Sequence, residues 1–187
     1  MELHDAHPAL FHYPLAFFPL SVAADALAEA LDDDDLRVVG RLTMPLAAAG
    51  IAAAGVSGLV AQEEVEPTEH GEDMLVTHRN LNLVAGAIAG GMALWRLGRD
   101  RVGPGYLGAG LAGLALMGYS AWLGGEMVYS HGIGVKDGKV RDDVPELSPD
   151  QADRAAARAA GDLASGARTV VEETAAGEVA PAAGGEH

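Results

Sequence analysis

The sequence predicts an all-α, four-helix transmembrane bundle of up-down-up-down topology, carrying an acidic C-terminal tail that is partly helical or disordered. Three observations predict it. Four stretches lack Asp, Glu, Lys and Arg: Ala6–Ala24 (19 residues), Leu42–Gln62 (21), Asn80–Trp95 (16) and Val102–Gly125 (24). A hydrocarbon core of about 30 Å takes roughly 20 helical residues, so three qualify outright. Asn80–Trp95 qualifies with its flanking Arg79 and Arg96, which can reach to the interfaces. Second, the connections are short, which makes neighbouring helices antiparallel. Third, the mean hydropathy of only +0.14 averages these runs with a polar last third, and the whole chain of 187 residues carries a formal charge of −15. A soluble Ala- and Gly-rich bundle would need polar outer faces, and LTMPLAAAGIAAAGVSGLVAQ, the second run, has none.

The four helices are expected at about 9–31, 41–62, 78–98 and 104–131. The first starts after MELHDAHP, which is acidic and lacks the positive segment of a signal peptide. Small residues recur four apart, at Gly50, Ala54 and Gly58, at Gly86 and Gly90, and at Gly105, Ala109 and Gly113, a spacing that lets helices approach closely in lipid. Pro14, Pro19 and Pro45 should bend their helices and free carbonyls. Asp25 and Glu29, four apart, are expected where the first helix emerges into water. The membrane domain is expected over 1–135 and the acidic soluble tail over 136–187. That tail should hold a surface helix at about 149–168, opened by Ser148-Pro149, and a low-complexity, disordered end from about 175.

Composition excludes several function classes. A charge of −15 opposes nucleic-acid binding. The absence of Cys removes disulfides, iron–sulfur clusters, thiolate zinc sites, Cys nucleophiles and covalent c-type haem. No HExxH, phosphate-binding loop or strand–helix GxGxxG is present, so hydrolase and nucleotide-dependent readings lack support.

The histidines carry the remaining information. In an up-down-up-down bundle the start of the first helix, the end of the second, the start of the third and the end of the fourth share one membrane face. His7, His12, His78 and His131 all fall there, with His4 and His70 in flanking loops, and the opposite face has none. Ionisable groups at membrane depth are costly and mark functional sites. Neutral imidazole suits haem iron, zinc and copper. A b-type haem needs two His on facing helices and no Cys, so His12, His78 and His131 are the candidate ligands, with His7 in reserve. Asn82 stands one turn after His78 on the same face, above Gly86 and Gly90, as a polar head over a cleft. Arg79 is placed to pair with a propionate. Three other readings stay open. A zinc or copper site could use the same His7, His12, His78 and His131, with the acidic loop Glu63–Asp73 attracting cations. The histidines could relay protons near neutral pH. The protein could be a non-catalytic membrane scaffold whose tail recruits a partner.

Loops on the His-free face carry Arg37, Arg41, Arg96, Arg99 and Arg101, against Arg79, Lys136, Lys139 and Arg141 on the other. The positive-inside rule then puts both termini and the His site outside the cell membrane.

Three motifs resemble those of an uncharacterised family, domain of unknown function 2231. HPALFHYPLAF at His7–Phe17 resembles its HPxxVHFPI opening, and AWLGGEMVYSHGIGV at Ala121–Val135 is similar to its GWLGGELVYRHGVGV. THRNLN at Thr77–Asn82 is similar to its central His–Asn segment. The resemblance covers about residues 4–135. It implies four-span membrane proteins without an established activity, some fused to a Rieske-type domain, and thereby an association with electron transfer and a redox partner protein. It also implies that the family's histidines correspond to His7, His12, His78 and His131. This chain's own tail, without Cys, offers no ligands of the thiolate kind such a cluster needs.

Overall fold

A computed structural model describes residues 6–67, 69–134 and 148–183. It is 86% helical, with no strand among the described residues. The elements are α1 (Ala6–Leu31), α2 (Asp34–Glu64), α3 (Glu69–Gly98), α4 (Pro104–Tyr129), α5 (Ala152–Ala176) and one 3-10 turn, Pro181–Ala183.

Local chemistry sets the boundaries. Asp32, at φ 53°, takes the left-handed conformation that a short polar side chain tolerates, and reverses the chain in two residues. Asp33 then caps α2 by accepting the Leu36 N–H at 3.0 Å. Pro104 opens α4, where its missing N–H has no helical partner to lose. Gly177, at φ 91°, closes α5. The acidic segment expected as a loop is mostly helix: Glu63 and Glu64 end α2, and α3 has begun by Glu69.

Helices α1 to α4 form an antiparallel ring in sequence order, α1 packing most extensively on α2. All four are long and apolar enough to cross a membrane, and only 22–39% of each one's most apolar stretch is buried inside the protein. Leu20, Leu27, Leu42, Leu46, Leu94 and Leu111 face outward. An outer surface of this kind is at home in hydrocarbon rather than water. Lipid gives apolar helices no reason to cluster, so close packing must hold them. A Cβ on Gly113 would lie 2.6 Å from Phe18 Cζ, and one on Gly110 2.9 Å from Val22 Cγ2. On α2, Gly50 receives Pro14, and Pro14 and Pro19 lie within a continuous α1. Gly105, expected in the packing stripe, has open space before it.

The apolar core, with Phe18, Val22, Met44, Ala89 and Met117, fills the middle of the bundle. It separates two polar ends. At the end formed by the α2–α3 turn, α5 packs along α2: a Cβ on Gly166 would meet the Leu59 carbonyl at 2.7 Å. The helix is longer than the expected 149–168, and residues beyond 175, expected as disordered, continue into the 3-10 turn, where the Ala182 N–H donates to Thr77 Oγ1 at 3.0 Å.

Candidate functional site: a histidine pair inside the bundle

His7, in the first turn of α1, and His78, nine residues into α3, face each other with ring centroids 6.2 Å apart and planes at 89°. Because α2 and α3 run beyond the start of α1, the pair lies about 15 Å below the α2–α3 turn rather than at it.

Hydrogen bonding defines the protonation of each ring. His7 Nδ1 lies 2.8 Å from the Ala54 carbonyl, which only accepts, so Nδ1 carries the hydrogen. Ser57 Oγ donates to the same carbonyl at 3.0 Å and stands 3.4 Å from His7 Nδ1. On the other ring, the Asn82 amide nitrogen donates to His78 Nε2 at 3.0 Å, so Nδ1 carries the hydrogen and donates to the Ser120 carbonyl at 2.8 Å. Ser120 Oγ stands 3.0 Å from the same nitrogen. Both rings therefore hold Nδ1–H on a backbone carbonyl and present Nε2 as the basic nitrogen. No hydrogen-bond donor meets His7 Nε2 among the described residues.

Two glycines seat the rings. A Cβ on Gly58 would lie 3.1 Å from His7 Cε1, and one on Gly124 3.2 Å from His78 Cε1. The small-residue spacing in α2 thus serves the site as well as the packing.

The expected set of ligands is only partly brought together. His12 follows His7 by five residues, about 140° around the helix. Its ring faces outward, Nδ1 on the Pro8 carbonyl at 2.8 Å and its edge on Phe11. His131 lies in the turn after α4, eleven residues past Ser120 and about 15 Å farther along the axis, beyond reach of a metal held by His78. Arg79 is buried and paired with Glu173 of α5, with Gln62 Oε1 at 3.4 Å, so the tail takes the place proposed for a propionate. Of the two glycines expected to open a cleft, Gly86 is covered by Ile51 at 3.3 Å, whereas a Cβ on Gly90 would meet nothing within 4 Å. His4 and the side chain of His70 lie outside the described residues. Among the described residues no group of three or more His, Asp or Glu is gathered as a metal site.

The opposite end holds what the sequence reading missed. Asp25 is not emerging into water: its Oδ1 meets Arg96 Nη2 at 3.0 Å, both side chains 1% exposed. Arg96 also donates to the carbonyls of Arg37 at 2.8 Å and Asp100 at 2.7 Å. The available signal was the placement of opposite charges at the ends of two apolar runs on one membrane face.

These features define a polytopic membrane bundle with polar side chains buried at both ends. A family model described as a predicted membrane protein (DUF2231) matches residues 3–137, and the chain belongs to that family. No curated protein and no solved structure matches it.

Proposed function

We propose that the protein is a membrane redox component that binds b-type haem through Nε2 of His7 and His78. The observation that carries the reading is the His pair itself: two imidazoles from different helices, each with Nδ1–H on a carbonyl. That is how metal-ligating histidines are commonly oriented and made more basic. The donor count favours haem over a bare ion. Structural zinc takes four protein ligands and catalytic zinc three, whereas haem iron asks the protein for two at most, the macrocycle supplying the rest. Asn82 would release Nε2 of His78 on binding, and Gly58 and Gly124 keep both rings in place. A haem so held supplies one-electron transfer. The arginines of the α1–α2 and α3–α4 connections argue for a cytoplasmic His-free end and an outward-facing His end of a cell-membrane protein. Lys136, Lys139 and Arg141, which bear on the same count, lie outside the described residues.

The test is the absorption spectrum of detergent-purified protein from cells supplied with haem. A Soret band is expected, lost in His7→Ala and in His78→Ala and kept in His12→Ala and His131→Ala. No Soret band in the unsubstituted protein overturns the proposal. Stoichiometric zinc or copper by elemental analysis would then replace haem with a bare metal, and neither would leave the pair as a metal-free polar contact.

A further inference from the structure

We propose that the crevice between the end of α3 and the start of α4 binds one acyl chain of an anionic phospholipid, with its phosphate held at Arg99. The crevice encloses about 530 Å³ and is lined chiefly by Ala87, Gly91, Met92, Trp95, Gly105 and Tyr106. From Trp95 to Ala87 it follows eight residues of helix, about 12 Å of descent from the α3–α4 loop into the apolar layer. Its surface is mostly apolar, and a Cβ on Gly91 or Gly105 would meet nothing within 4 Å. A groove of this depth and apolar lining suits an alkyl chain lying along the helices.

The charge at its mouth selects the head group. Five arginines stand at this end of the bundle. Arg37 is paired with Asp32 and Asp34, Arg41 with Asp100, Arg96 with Asp25, and Arg101 with Asp32 and Glu29. Arg99 alone meets no carboxylate among the described residues. Its guanidinium lies over the Trp95 ring, 3.9 Å from the centroid, on the rim of the crevice. Trp at this depth is the usual interfacial anchor, and a guanidinium is the side chain best shaped for phosphate. An anionic lipid would supply the missing counter-charge while its chain covers the apolar walls.

Trp95 makes the site readable, because the only other tryptophan, Trp122, lies elsewhere on α4 and can be replaced. In Trp122→Phe protein reconstituted in phosphatidylcholine, phosphatidylglycerol with brominated acyl chains is expected to quench Trp95 with about five-fold higher apparent affinity than brominated phosphatidylcholine, the worth of one cation at an anionic surface. Arg99→Gln should erase that preference. Gly91→Leu, which fills the crevice, should weaken quenching by both lipids, with helicity checked by circular dichroism. Equal quenching by the two lipids overturns the proposal, as does a preference that survives Arg99→Gln. A second copy of the chain retained in native mass spectra with Trp95 shielded from both lipids would also overturn it.

Discussion

Asp25 and Arg96 form an ion pair at 3.0 Å inside the bundle, tying the last turns of α1 to the last turn of α3. The backbone is shaped around it. A Cβ on Gly40 would sit 2.0 Å from Asp25 Oδ1, so α2 must carry glycine there, and Ser21 Oγ donates to the Gly40 carbonyl beside it at 3.0 Å. Removing one member of a buried pair strands the other charge, which costs about 3–5 kcal/mol, more than the pair itself contributes. Asp25→Ala is therefore expected to destabilise the protein by about that amount, and Asp25→Leu combined with Arg96→Met to recover more than half of the loss. Unfolding by dodecyl sulfate in mixed micelles measures both. A double variant as unstable as the single one would show that the pairing is not what matters.

The relation between sequence and structure follows from which physical signals are local. Helix number and order were legible because lipid sets a length and a composition that any 20-residue window reveals, but α2 and α3 begin seven and nine residues before the expected 41 and 78, where charged residues extend the helices past the apolar runs. That a histidine from α3 would meet one from α1 was legible from topology alone. The choice of His7 over His12 was not, because it depends on helix phase, and on where α1 begins relative to α2: Ala54 and Gly58 offer a carbonyl and a gap at the level of His7. The polar contacts that hold α5 against α3 were hidden for another reason. Arg79 and Glu173 are 94 residues apart in the chain, and an Arg at a helix end reads as an interfacial anchor unless its partner is known.

The glycines beside the histidines test whether the rings must stay where they are. Gly58→Val places branched carbon where only about 3.1 Å separates the Cβ position from His7 Cε1, and Gly124→Val does the same to His78 at 3.2 Å. Overpacking of this kind typically costs about 1–3 kcal/mol and moves the neighbour. Each variant is expected to fold with reduced stability and, if the proposed haem is held by these rings, to lose most of it, while Gly55→Val, where a Cβ has open space, keeps it. Metal content per folded protein after size-exclusion chromatography separates the cases, and retention in all three would mean that ring position does not govern binding.

The tail helix is held by a few polar contacts that can be cut singly. Arg79 bonds Glu173, Asn80 Nδ2 donates to the Val179 carbonyl at 2.8 Å, and Thr77 receives Ala182. A hydrogen bond to a charged group is worth about 1.5–3 kcal/mol, and Arg79 is buried, so Glu173→Ala should release the end of α5. Limited proteolysis is expected to cleave near 177–183 several-fold faster in Glu173→Ala than in the unsubstituted protein, with α1 to α4 left intact. Unchanged cleavage would place the hold on α5 in the close packing of Gly166 against the Leu59 carbonyl instead.

Asp32, in the turn between α1 and α2, couples the two connections of the His-free end to pH. Its carboxylate accepts from Arg101 Nη2 at 2.7 Å and from Arg37 Nη2 at 2.5 Å, and these bonds, the Arg101 one foremost, hold its pKa below the ordinary 3.8. A carboxyl group whose pKa is lower folded than unfolded stabilises the fold above the unfolded value. That contribution fades as pH falls through the lowered one. The α1–α2 turn and the α3–α4 loop should therefore stay joined at neutral pH and part only below about pH 3.8. Carboxyl resonances of Asp32 followed by NMR in micelles are expected to titrate below 3.8 in the unsubstituted protein. Arg101→Gln should move the midpoint up, and Arg37→Gln should move it by less. A midpoint indifferent to Arg101→Gln would mean that the two connections do not communicate through this carboxylate.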